Sequence, residues 1–102
     1  MNPRLPWYKH YPADHLVAAA DLSLDEEGAL ARMRDWEWCH GPLPSDPVIT
    51  AKLIRAPRKV AIVAGLLERY FTKMPDGHID EKLEVQRHHA EAKRSHLVAA
   101  GA

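Results

Sequence analysis

Four breaks cut the middle of this chain into short pieces: Gly41-Pro42, Asp46-Pro47, Ala56-Pro57 and Pro75-Asp76-Gly77. Proline lacks the N–H that a helix interior needs, and it pushes the residue before it out of the helical region. A helix can begin at such a proline but cannot run through it. Short helices fit between these breaks, and a length of 102 residues suits one domain. The longest apolar cluster, Val60 to Leu67, falls far short of the roughly 20 residues that a membrane span requires. Met1 is followed by Pro3, Arg4 and Pro6, with no apolar leader, so a cytoplasmic location is expected. A lone cysteine, Cys39, excludes an intramolecular disulfide and a cysteine-based zinc site, and fits a reducing compartment.

Within these bounds the helix signals are strong. The proline-rich opening should be extended and pinned by Trp7, Tyr8 and Tyr11, with Asp14 capping a short turn of helix up to Ala20. Ser23 with Glu26 has capping-box spacing, and Asp25, Glu26 and Glu27 load a first turn where the helix dipole favours negative charge. Ala29, Leu30, Met33, Trp36 and His40 then share one face, which predicts a helix over 24–39 that stops at Gly41-Pro42. Asp46 and Pro47 open a second helix, with Ile49, Leu53 and Ile54 as its buried edge. Pro57 opens a third, over 57–71, lined by Val60, Val63, Leu67, Tyr70 and Phe71. Pro75-Asp76-Gly77 is a turn between two very short strands. A last helix runs from Glu81 to about Leu97; it is sparsely apolar and should pack through Leu83 near its start.

Three helices followed by a hairpin is the element order of a winged helix. The expected fold is therefore mainly α with a small β-hairpin, winged-helix-like, with an added C-terminal helix. The second and third helices would form the helix-turn-helix and the hairpin the wing. Net charge is zero, yet residues 21–46 carry seven acids against two arginines. Residues 47–74 carry six basic residues against Glu68 alone. That basic stretch coincides with the recognition helix, the turn before it and the wing. Arg55, Arg58, Lys59, Arg69 and Lys73 are thus candidates for contacts to DNA phosphates and, in part, bases. The plain alternative is that the acidic and basic stretches pair with each other.

Longer motifs point to a family. PWYKHYPADHL at 6–16, DLSLDEEGAL at 21–30, WCHGPLPSDP at 38–47 and RYFTKMPDGHIDEKLEVQR at 69–87 resemble the YdaU-like family of phage and prophage proteins, a domain of unknown function. The resemblance covers residues 6–97. It implies a winged-helix-like fold and a link to phage replication or DNA binding, with no established biochemical role.

Other chemistries find little support. Seven histidines invite a metal, but no His-x-x-x-His spacing places two on one helical turn. The acids at 25–27 are accounted for by helix capping, and there is no nucleophile elbow or phosphate-cradling glycine loop. Cys39 beside His40 fits a small buried residue better than a thiolate. Trp7, Trp36, Trp38, Tyr8 and Tyr11 could stack on unpaired bases, but aromatics in so small a domain are core first. Trp36 lies on the apolar face, whereas Trp38 lies off it, either packed under the N-terminal segment or exposed. The expected function is a non-catalytic DNA-binding domain without cofactors, acting on duplex DNA beside phage or host replication proteins. The rival is a protein–protein adaptor in a phage replication complex, holding its partner by the acidic stretch or the last helix. The oligomeric state is left open.

Overall fold

The computed structural model describes the backbone of residues 7–101 and the side chains of residues 7–94. The elements in order are α1 (Pro12–Ala18), α2 (Leu24–His40), α3 (Pro47–Leu53), α4 (Val60–Tyr70), β1 (Thr72–Met74), β2 (Gly77–Ile79) and α5 (Glu81–Gly101). The chain is mainly helical, with one two-stranded antiparallel hairpin. Helix α5 runs to Gly101 rather than ending near Leu97, so residues 99–101 of the expected fray are helical, and Ala102 lies outside the described residues.

The α2 start is the capping box read from the sequence. Ser23 Oγ accepts from the Glu26 N–H at 3.1 Å, and Glu26 Oε1 accepts from the Ser23 N–H at 2.9 Å. Gly41 ends the helix at φ 95°, which a side chain would resist. The buried line of α2 runs through Leu30, Met33 and Glu37, with Ala29 and Trp38 beside it. Trp36 is only half-buried and stacks on His40 at 4.6 Å between ring centroids. Trp38 is buried, with Tyr8 of the N-terminal segment 5.3 Å away between ring centroids. Trp38 thus takes the first of its two alternatives, packed under the N-terminal segment, while Trp36 packs against the core only at its edge. Trp36 is kept at the edge because a carboxyl residue, Glu37, occupies the buried line.

Three further expectations are corrected. Helix α1 begins at Pro12, with no side-chain cap, so Asp14 sits inside its first turn rather than before it. In α3, Asp46 caps as expected, accepting from the Val48 N–H at 2.9 Å. Its buried residues, however, are Thr50 and Ala51, followed by Ile54. Ile49 and Leu53 stay 48% and 40% exposed. Pro47, Thr50, Ala51 and Ile54 are spaced as one helical line. Small Ala51 lets α3 approach α4, and the Thr50 hydroxyl reaches the Pro44 and Asp46 carbonyls at 3.4 Å.

Helix α4 begins at Val60, not Pro57. The residues before it close α3: the Ala56 N–H donates to the Ala51 carbonyl at 2.8 Å and the Arg55 N–H to Lys52 at 3.0 Å. That pair of bonds is a Schellman motif with Arg55 at φ 63°, where glycine is usual. Pro57 and Arg58 then form a turn, and Lys59 becomes the N-cap of α4.

The hairpin pairs Thr72 with Ile79, Lys73 with His78 and Met74 with Gly77. Leu43 adds an isolated bridge to His78, with both backbone bonds at 2.8 Å. The core gathers Leu30 and Met33 of α2, Leu43, Ala51 and Ile54 around α3, Val63, Leu66 and Leu67 of α4, and Phe71. Helix α5 joins through buried Leu83 and Glu84, while Val85, His88, His89 and residues 91–94 face outward. Among the described residues no helix is long and apolar enough to cross a membrane.

Candidate functional site

The five cations singled out by sequence do not form one patch. Arg55 and Arg58 stand together in the α3–α4 turn, exposed. Lys59 adjoins them, but its Nζ turns back to Asp25 Oδ2 at 3.0 Å, at the start of α2. Arg69 lies at the other end of α4. Its guanidinium holds both Asp21 carboxylate oxygens, at 2.8 and 2.6 Å, and lies 5.2 Å from the Tyr70 ring centroid. The Arg69 hydrogen bond keeps Asp21 below its ordinary pKa, and the same pair raises Arg69. Lys73 sits on β1, beside Ser45, Pro47 and Glu68, against the start of α3 and the end of α4. Arg69 is the tenth of the eleven residues of α4, about 15 Å along the helix from Lys59 at 1.5 Å per residue. The pairing of acidic and basic stretches thus holds for Lys59 and Arg69, whereas Lys52, Arg55, Arg58 and Lys73 have no acidic partner among the described residues.

Two cations that sequence spacing did not single out join the turn. Lys52 is exposed on the last turn of α3, three residues before Arg55. Arg32 comes across from α2 and donates from its guanidinium to the Ile54 carbonyl at 3.1 Å. That bond ties it to the residue preceding Arg55. Among the described residues Arg32, Lys52, Arg55 and Arg58 have no acidic partner. Lys52 could have been found from its i, i+3 relation to Arg55. Arg32 could not, because it stands in the acidic stretch of sequence.

A second region is a cleft of about 700 Å³ between the N-terminal segment, α2 and the start of α5. Tyr8, Tyr11, His15, Arg34 and Gln86 are among its walls. Gln86 clamps the Lys9 backbone from both sides, accepting from its N–H at 2.8 Å and donating to its carbonyl at 3.3 Å. Tyr8 donates to Asp35 Oδ1 at 2.7 Å; burial and that bond push its phenol pKa up. Arg34 pairs with Asp80 at 2.9 Å. The polar groups here tie the N-terminal segment and α5 to α2.

Beside the cleft lies a buried carboxyl pair. Glu37 is fully buried; its Oε1 accepts from the Asp80 N–H at 2.9 Å, and its Oε2 has no hydrogen-bond partner of its own. Burial, reinforced by Glu84, pushes its pKa up to about 9. For Glu84, burial acts to raise the pKa, but hydrogen bonds from Glu37 and Arg87 outweigh it and the net shift is downward. These shifts favour the protonated form of Glu37 and the ionised form of Glu84, and Arg87 brackets the Glu84 carboxylate at 3.2–3.4 Å. This fastens α5 to α2. Among the described residues no cluster of histidine, cysteine and carboxylate could hold a metal ion.

No curated protein and no solved structure matches the chain. The family described as protein of unknown function (DUF1376) matches residues 6–87, a stretch that takes in the cationic turn, the hairpin and the buried carboxyl pair. The chain belongs to this DUF1376 family.

Proposed function

We propose that this chain is a non-catalytic DNA-binding domain whose α3, α4 and hairpin act as a winged helix-turn-helix unit. The duplex phosphates are held at the α3–α4 turn. The observation that carries this reading is the grouping of Arg32, Lys52, Arg55 and Arg58, exposed and without acidic partners among the described residues. Like charges gathered without counter-ions repel one another, and an incoming phosphate relieves that repulsion. Arg55 also holds a backbone conformation that costs a non-glycine residue energy, so its side chain is presented there at a cost. The likeness to the YdaU-like family supplies the wider setting of this proposal, phage or prophage DNA replication.

The test is anisotropy titration of a mixed-sequence duplex at two salt concentrations. Four phosphate contacts predict a slope of about −3 to −4 in log affinity against log salt. Arg55→Glu with Arg58→Glu should abolish binding while the thermal melt stays cooperative. Absence of binding by the unaltered chain at low salt refutes the reading, as does undiminished binding by the double variant.

A rival reading, a protein–protein adaptor, has its own observation. Helix α1 buries none of its side chains, and Leu16, Val17 and Leu24 are 71%, 81% and 89% exposed. It predicts no salt-sensitive DNA affinity at all.

A further inference from the structure

We infer that the cationic turn takes the sugar–phosphate backbone of duplex DNA irrespective of base sequence, and that α4 does not read a groove. This rests on the DNA-binding reading above and adds what kind of site it is. A helix that reads the major groove needs side chains on its outward face that match base edges. Arginine and lysine read guanine, asparagine and glutamine read adenine, and carboxylates accept from cytosine. The inward face of α4 is set by Val63, Leu66 and Leu67, with Val60 and Tyr70 half-buried beside them. At 100° per residue the opposite face carries Ala61, Gly65 and Glu68, flanked by half-buried Ala64 on one side and exposed Arg69 on the other.

Ala61, Ala64 and Gly65 offer no side-chain donor or acceptor. Nothing lies within 4 Å of where a Cβ on Gly65 would stand, so no packing demand explains the missing side chain. Glu68 is the one polar group in the middle of the face; Arg69, at its edge, is held by Asp21. The exposed Glu68 carboxylate would enter a groove walled by phosphates, where like charge repels it.

The cations at the two ends of α4 do not make good the deficit. Lys59 is engaged by Asp25 and Arg69 by both oxygens of Asp21. What remains for nucleic acid in the α3, α4 and hairpin unit is the turn, with Lys73 of β1 as a lone exposed cation away from it. At the turn, Arg32, Lys52, Arg55 and Arg58 come from α2, α3 and the turn itself. Cations spread over three backbone segments suit phosphates strung along a strand.

The experiment measures affinity for three duplexes of equal length, one A/T-rich, one G/C-rich and one mixed, together with selection from a random duplex pool. The expected result is agreement of the three affinities within about threefold and a pool that yields no enriched motif, since one read base pair alone separates sites by about fivefold or more. Glu68→Ala should shift all three affinities by less than about twofold, and Arg58→Glu should weaken all three by a common factor of about tenfold or more. A duplex bound more than about tenfold more tightly than the others, with that preference lost on Glu68→Ala, overturns the inference and leaves the DNA-binding reading standing. Failure to bind any of the three at low salt removes the reading and the inference together.

Discussion

Replacing Glu37 by glutamine should change how stability depends on pH, because Glu37 holds a proton in the folded chain that it loses when unfolded. Its folded pKa is about 9, against an ordinary value of 4.5, through burial first and the neighbouring Glu84 second. Between those values the folded state binds one more proton than the unfolded state. Stability is therefore fully present below about pH 4.5 and falls as pH rises toward 9. The limiting slope is about 1.4 kcal/mol per pH unit, so up to about 4 kcal/mol is lost between pH 5 and pH 8. Glu84, shifted the other way, titrates below this window and leaves it clear. In Glu37→Gln the amide oxygen still accepts from the Asp80 N–H. That side chain does not titrate. Thermal melts of both proteins at intervals from pH 5 to pH 8 should diverge steadily, with the variant gaining on the unaltered chain. At about 4–8 °C per kcal/mol for a domain of this size, even half the limiting slope gives a divergence of about 8 °C or more. Melting temperatures that run parallel across this range would show that Glu37 is ionised in the fold.

Two other perturbations follow from the structure. A Cβ on Gly77, at φ 144°, would collide with the Leu43 carbonyl oxygen, so Gly77→Ala must break the Leu43–His78 bridge as well as strain the backbone. Two backbone bonds and a strained dihedral predict a loss of about 2–5 kcal/mol in denaturant unfolding, and a change under about 0.5 kcal/mol would exclude that close approach. Asp21→Asn with Asp25→Asn frees Arg69 and Lys59 from their ion pairs; on the DNA-binding reading the salt slope should steepen by about two, and a rise in affinity without that steepening would mean the freed cations reach no phosphate.

Local chemistry made much of the fold legible. The Ser23 capping box, the Asp46-Pro47 start, the Gly41 stop and the Pro75-Asp76 turn each depend on a few adjacent residues, and each stands where the spacing put it. Expectations failed where a residue's role was decided by a distant neighbour. Glu37 looks like a surface residue until Glu84 and the Asp80 N–H bury it, and only then does the α2 face pass through 30, 33 and 37. Ile49 and Leu53 look like core, yet the side of α3 facing α4 is chosen by Thr50 and Ala51. Pro57 is a sound helix opener by itself. The Schellman closure of α3 uses the residues around it for a turn, so α4 starts three residues later.

The candidate site shows the same limit in electrostatic form. Charge counted along the chain places all the binding potential in residues 47–74 and none in residues 21–46. Folding redistributes it, because the acidic start of α2 runs beside α4 and meets a cation at each end. Those two pairs are exposed, so water screens them and they hold weakly. They nevertheless occupy the two α4 cations that a groove-reading helix would most need. In the opposite sense, Arg32 leaves the acidic stretch and joins the turn through the Ile54 carbonyl. The cationic turn is thus made of what α2 leaves unpaired together with what α2 contributes. Its strength as an anion site depends on the packing of α2 against α3 and α4 as much as on the lysines and arginines themselves. On the DNA-binding reading, a substitution that loosens that packing should therefore lower the affinity for duplex without touching a single cation.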